Sequence, residues 1–264
     1  MMRLVAMDLD GTLLRSDKSI SDAAIEAIRE AHSRGVAFAV ATGRMFQTSQ
    51  PVVDGLLDEL PIIAYNGALI KYSNCGLTLL RLPIAARGGE RVVRFMWEWG
   101  IVFQAYIDDQ LWVARVAPET VAYSKKYGAP INVMEDIEEF VNREAFKYLV
   151  LDDEERIADV RKAIDGVLDP GLRTMLSSPG MIEIVRSDVS KGRALSHLAS
   201  SMGISMDNVM AIGDSENDID MLRAAGIGVA MGNAGDDVKA EADYIVASND
   251  DDGVVEALER FALL

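Results

Sequence analysis

Only one cysteine occurs in the chain, Cys75, so an internal disulfide is excluded and the fold must rest on its apolar core. Positive charge is scarce beside negative: 26 Lys and Arg stand against 42 Asp and Glu, a formal net charge of −16. That balance opposes docking on nucleic-acid phosphates or anionic lipid, which needs clustered cations. Nowhere does an apolar run approach the ~18 residues of a membrane-spanning helix. Histidine is almost as rare as cysteine. His32 and His197 fall in separate helical stretches without ligand-spaced partners, so each reads as a surface or packing residue. The seven prolines make no linker, no internal repeat is present, and the phosphate-binding pattern GxxxxGK[ST] is absent. The opening MMRLVAMD places an acid where a signal peptide would continue its apolar stretch, and a cytoplasmic protein is expected.

What is present is apolar material in a regular order. Half of the 264 residues are hydrophobic, enough for a large core. RLVAM (3–7), VAFAVA (36–41) and PIIAY (61–65) are apolar throughout and alternate with helical stretches at 22–34 and 45–57. Such runs suggest parallel strands buried on both faces. ALIKY and LTLLRL flank Ser73-Asn74-Cys75-Gly76 as a hairpin. From 83 to 186 strands come in adjacent pairs (101–107 with 111–115, 172–177 with 181–185), which predicts antiparallel pairing in a separate α+β domain. Helix and apolar strand then alternate again through NVMAIG (208–213), IGVAMG (227–232) and DYIVA (243–247). The expected fold is therefore α/β, a doubly wound, mainly parallel, Rossmann-like core sheet built from 1–82 and 187–264, with an inserted α+β domain over 83–186.

Ligands of such sheets bind beyond the carboxyl ends of the strands. DLDGT, TGR and GDSEND fall at those ends, and SKG opens the helix before the last of them. Asp8 and Asp10 have two readings, a turn whose carboxylates satisfy backbone donors around Gly11, or reagents. Asp214 and Asp218 end another strand, so four carboxylates converge. Two like charges about 4 Å apart cost roughly 4 kcal/mol at an effective dielectric near 20. A divalent cation answers that cost, and an all-oxygen set without His or Cys favours magnesium. Asp218 also fits a capping box with Ser215, and it can cap and bind at once. Thr42, Gly43 and Arg44 are either a plain strand-to-helix turn or an anion cradle at a helix start. Lys191 opposes the dipole of the helix it opens, which points to a partner outside that helix.

Taken in order, DLDGTL, ATGR, SKG and GDSEND resemble the motifs of the haloacid dehalogenase (HAD) superfamily, and within it the Cof-type phosphatases. The insertion after the second motif resembles that family's C2 cap, so the resemblance covers essentially the whole chain. It implies a phosphatase acting on small phosphorylated metabolites, sugar phosphates or related cofactor intermediates. Asp8 would be the nucleophile, forming an aspartyl phosphate, and Asp10 the acid and base. Thr42 and Lys191 would hold the phosphoryl oxygens. Magnesium would be held by Asp8, the backbone carbonyl of Asp10 and Asp214, with Asp218 as ligand or support. Gly43, Arg44, Asn66 and Asn217 would lie near the substrate. The like-charged neighbour is expected to raise the proton affinity of Asp10. A sugar phosphomutase would carry the same residues, and a phosphate-switched receiver module shares the acids, Thr and Lys but is shorter and lacks the insertion. Monomer and homodimer are equally compatible with the sequence.

Overall fold

LVAMD carries no charge before its last residue and forms a strand, β1 (Leu4–Asp8), buried along its whole length. The computed structural model in which it is seen describes residues 2–178 and 180–263. Helix α1 (Asp22–Ser33) follows, started by Ser21, whose side chain accepts from the Ala24 N–H at 3.1 Å. Its buried residues Ala24, Ala27, Ile28 and Ala31 recur at helical spacing. Then come β2 (Ala37–Ala41), α2 (Phe46–Val53), β3 (Pro61–Ala64), β4 (Leu69–Tyr72) and β5 (Thr78–Arg81). Helix α2 ends four residues earlier than the periodicity suggests. Pro51 withholds an N–H within it, and the Leu56 N–H turns back to the Val53 carbonyl at 3.1 Å.

The segment that follows holds α3 (Glu90–Glu98), β6 (Phe103–Ile107), β7 (Gln110–Val113), α4 (Pro118–Tyr127), β8 (Ile131–Val133), α5 (Ile137–Val141), β9 (Tyr148–Leu151), α6 (Ile157–Asp165), β10 (Leu172–Ser178) and β11 (Met181–Arg186). The chain closes with α7 (Lys191–Ser201), β12 (Val209–Gly213), α8 (Ile219–Ala224), β13 (Ile227–Ala230), α9 (Asp236–Lys239), β14 (Tyr244–Ile245) and α10 (Gly253–Phe261).

These elements form two compact units. The first comprises the chain up to Arg44, Ser49–Arg81 and everything from Ser190, and the second comprises Met45–Thr48 and Leu82–Val189. In the first, eight strands run in the order β14-β13-β12-β1-β2-β3-β4-β5. All neighbours from β14 to β3 are parallel, and the β3-β4-β5 edge is antiparallel. β1 is central, with Ala6 beside Ala211 on one side and Ala39 on the other. Small residues there let helices approach closely. Leu195, Leu198, Met221 and Leu222 pack against Leu4, Ala6, Ala39 and Val209, each fully buried large side chain contributing about 1.5–3 kcal/mol. Since Asp8 aligns with Ala41 and Met7 with Ile212, the residues just past β2 and β12 flank the end of β1.

The second unit is a six-stranded sheet in the order β10-β11-β9-β6-β7-β8, antiparallel except for the parallel β7–β8 pair. Phe103, Ala105, Ile107, Tyr148, Val150, Ile182 and Ile184 pack with residues of α3, α5 and α6. The alternate residues Gln104, Tyr106, Lys147 and Glu183 are buried too, with Lys147 donating to Glu183 at 2.6 Å. Neither β8 nor α5 stands out from the sequence. Three residues of β8 draw their order from β7, and α5 makes barely one turn behind its cap, Asp136.

Candidate active site

All of the site residues singled out from the sequence lie in the first unit, Lys191 at the start of α7 and the others at the carboxyl ends of strands or on the turns beyond them. Asp8 is the last residue of β1 and is buried. Lys191, the first residue of α7, reaches across to it. Its Nζ donates to Asp8 Oδ1 and to Asp218 Oδ1, each at 2.6 Å, and the lysine is 1% exposed. The partner outside the helix is thus a pair of carboxylates. Helix α7 is started instead by Ser190, whose side chain accepts from the Arg193 N–H.

Asp218 takes the cap role that its spacing allowed and is also a partner of Lys191. Its Oδ2 accepts from the N–H groups of Asp214 and Ser215 at 3.0 and 2.9 Å, closing the capping box, while its Oδ1 faces Lys191. Asp214 in turn accepts from Thr12 Oγ1 at 2.8 Å and from Ser215 Oγ at 3.1 Å. Carboxylate oxygens of Asp8, Asp214 and Asp218 all lie within 4.8 Å of one another. Three carboxylates share one buried ammonium, which leaves a formal excess of negative charge. Burial pushes the Asp8 carboxyl well above the usual carboxylate range, Lys191 opposes this, and Asp218 and Asp214 add to it. Burial and then the charge of Asp218 also raise Asp214. An all-oxygen cluster with an excess of negative charge suits a hard divalent cation.

Gly11 is required here twice over. Its φ is +80°, and a Cβ on it would lie 2.5 Å from Asp214 Oδ2. Gly11→Ala is therefore expected to lose about 1–3 kcal/mol, seen as a lower midpoint in denaturant unfolding, and to displace Asp214. An unchanged midpoint would show that the turn tolerates a side chain.

Asp10 sits differently from the expectation. Its carboxylate is clamped by Arg44, Nε to Oδ2 and a terminal nitrogen to Oδ1, both at 2.5 Å, and Lys18 Nζ donates to Oδ1 at 3.1 Å. Although burial acts to raise it, the Arg44 hydrogen bonds and charge, then those of Lys18, hold the Asp10 carboxyl below its usual value. The like-charged neighbour is outweighed by a guanidinium that lies 34 positions away in sequence. The Asp10 carboxylate also stands apart from the three-carboxylate cluster.

Thr42 follows β2 and is buried, its Oγ1 accepting from the Arg44 N–H at 3.1 Å. The Thr42–Arg44 loop is tied to the turn after β3, with the Asn66 N–H donating to the Thr42 carbonyl and the Tyr65 N–H to that of Arg44. Tyr65 and Asn66 both have positive φ, 52° and 55°. The Asn66 side chain lies close to Gly43 and accepts from Asn217 Nδ2 at 2.8 Å, while Asn217 Oδ1 is buried without a partner. Thr42, Gly43, Arg44, Asn66 and Asn217 thus form a second, linked group.

Thr12, Lys18 and Asn233 were not singled out by sequence. Thr12 stands in DLDGT itself, directly after Gly11. Asn233, just past β13, donates to the Gly11 carbonyl at 2.8 Å, and its place after a parallel strand was a usable signal. Lys18 lies in a turn at φ 70° with no pattern to mark it.

A family model described as haloacid dehalogenase-like hydrolase matches residues 5–258. A Bacillus subtilis protein named 5-amino-6-(5-phospho-D-ribitylamino)uracil phosphatase YcsE is 34% identical over 268 residues, covering 99% of this chain and 96% of that protein. An Escherichia coli protein named pyridoxal phosphate phosphatase YbhA is 30% identical over 268 residues, covering 96% of each. The crystal structure of TM0651 from Thermotoga maritima superposes with a TM-score of 0.89 at 31% identity, over 98% of this chain and 97% of that one.

Proposed function

Because this chain belongs to the haloacid dehalogenase-like hydrolases, we propose that it is a magnesium-dependent phosphatase of small phosphorylated metabolites that works through an aspartyl phosphate on Asp8. The observation that carries this reading is the buried Lys191 bridging Asp8 and Asp218, with Asp214 in the same cluster. A lysine held in that way fixes one oxygen of Asp8, so the other is presented in a constant direction.

In the first half-reaction an Asp8 carboxylate oxygen attacks phosphorus, and the bond from phosphorus to the leaving oxygen breaks. Asp10 gives its proton to that oxygen. In the second half, Asp10 takes a proton from water, the water oxygen attacks the same phosphorus, and the Asp8 carboxylate is released. Thr42 and Lys191 hold phosphoryl oxygens as charge builds on them. Arg44 serves as the anchor that aims Asp10, and it must yield part of its hold for Asp10 to carry a proton. Asn66 and Asn217 present amide groups to the substrate; the unpartnered Asn217 Oδ1 is an acceptor waiting for a donor. Asp8, Asp214 and the Asp10 backbone carbonyl would hold the magnesium, with Asp218 supporting the 214–215 backbone. When bound, the ion neutralises the approaching phosphate and stabilises charge on the transferring group.

The inserted segment, residues 83–186, serves as the cap that chooses the leaving group. The two named relatives act on phosphate esters of a ribityl-substituted pyrimidine and of pyridoxal, according to their names. Both are alkyl phosphates on polar heterocyclic compounds, and we place this chain's substrate in that class or among sugar phosphates. A lone exposed thiol, Cys75, suits the reducing cytoplasm.

The test is phosphate release over a panel of sugar phosphates, nucleotides, pyridoxal phosphate and an aryl phosphate. Chelation with EDTA is expected to lower turnover by roughly a hundredfold or more, and added magnesium to restore it. Turnover indifferent to EDTA, or phosphoryl transfer to a sugar without net phosphate release, would contradict this reading.

A further inference from the structure

The Gly11 carbonyl takes its hydrogen bond from outside the loop that carries it. That loop, which follows β1, is closed by its own backbone at two points, the Leu13 N–H donating to the Asp8 carbonyl at 3.2 Å and the Leu14 N–H to that of Leu9 at 2.8 Å. Between those points lies Gly11 at φ +80°, the residue type with the widest choice of backbone. Its carbonyl accepts from Asn233 Nδ2 at 2.8 Å. The other end of that amide is engaged too, Asn233 Oδ1 accepting from the Asn249 N–H at 3.0 Å, so each end of the side chain meets the group it needs. Asn249 in turn donates through Nδ2 to the Leu14 carbonyl at 2.8 Å. It opens a short helical turn, Asn249–Asp251, whose Asp250 accepts from the N–H and the hydroxyl of Ser16 at 2.9 and 2.6 Å. The turns after β13 and β14 thus hold the β1 loop at residues 11, 14 and 16, all within the first unit.

We infer that Asn233, steadied by Asn249, is a positioning residue: by fixing the Gly11–Thr12 peptide it sets the Thr12 hydroxyl, and so the direction in which Asp214 faces the magnesium. The inference rests on the role given to Asp214 under the proposed function. The Gly11 carbonyl and the Thr12 N–H belong to one planar unit, so a bond to the carbonyl orients both. Thr12 is buried and β-branched, which ties its side chain closely to that backbone. Its Oγ1 donates to Asp214 Oδ1 at 2.8 Å. Asn233 and the carboxylate are therefore linked by one rigid peptide with a hydrogen bond on either side. Partners of this kind, which hold a metal's ligand rather than the metal, commonly govern affinity for the ion.

A double-variant cycle on magnesium binding separates this role from general support of the loop. Magnesium alone is titrated by calorimetry into the whole chain, freed of metal. Thr12→Val removes the hydroxyl and keeps the shape, and is expected to raise the dissociation constant about tenfold. Asn233→Ala should raise it about fivefold, a smaller loss because it acts through Thr12. The double variant should bind no more weakly than Thr12→Val, since the hydroxyl on which Asn233 acts is gone. Unfolding midpoints without metal check that each variant folds. If Asn233→Ala does not, Asn249→Ala, which frees one end of the same amide, takes its place in the cycle. The inference is overturned if Asn233→Ala binds magnesium within about twofold of the unaltered protein, or if the two losses multiply to about fiftyfold. Should the unaltered protein bind no magnesium, the proposed function falls. Amide exchange at Leu13 and Leu14 then decides the positioning by itself: faster exchange in Asn233→Ala upholds it, and equal rates reject it.

Discussion

Asp8→Asn is expected to reduce phosphatase turnover by roughly 10⁴-fold or more, as removal of a nucleophile does, while making the metal-free protein more stable at neutral pH. The two effects have one cause. Asp8 is buried in the company of Asp214 and Asp218, and its carboxyl titrates well above the ordinary value. The folded state therefore holds this proton more tightly than the unfolded chain does. Its contribution to stability is full below the ordinary carboxylate pKa and is lost as pH rises through the raised folded value. Above the ordinary carboxylate pKa this group therefore works against folding, and a neutral amide of the same shape removes that opposition. Lys191 keeps Asp218 as a partner in the variant. Unfolding midpoints with and without magnesium check the pair of claims: the ion should stabilise the unaltered protein more than Asp8→Asn. Loss of activity together with loss of metal-free stability would mean that Asp8 is structural.

The second large effect concerns Lys191. Its ammonium bonds to both Asp8 and Asp218, and all three groups are buried. Lys191→Met preserves most of the volume and deletes the charge, stranding two carboxylates in a low-dielectric site. Breaking a buried ion pair from one side typically costs about 3–5 kcal/mol, a large share of the roughly 5–15 kcal/mol that holds a domain together. Denaturant unfolding should show this loss, and the double variant Lys191→Met, Asp218→Asn should recover part of it because one stranded charge is gone. A single variant within about 1 kcal/mol of the parent would place Lys191 among solvated surface charges.

Much of the fold could be read from the chain because its central strands are apolar at every position, the signature of burial on both faces. LVAMD and AFAVA have no other stable home. β8 and α5 escaped for the opposite reason: three and five residues are too few to show a period, and their order comes from a neighbouring strand and a capping aspartate. The acids and Lys191 were legible because each breaks a local expectation, carboxylates at the end of a greasy strand and a cation at the start of a helix. The state of Asp10 was not. Its surroundings depend on Arg44 and Lys18, brought in by the turn after β2 and by a loop at positive φ, and nothing in DLDGT specifies either.

Trapping the covalent intermediate tests the central claim most directly. The enzyme, mixed with magnesium and its best substrate, is quenched in acid within the first turnovers and treated with borohydride, which reduces an acyl phosphate to an alcohol. Peptide mass analysis should then find homoserine at position 8 in place of aspartate, dependent on substrate and absent from Asp8→Asn. Phosphate release at full rate with Asp8 unreduced, or with the modification at another carboxylate, would contradict the account.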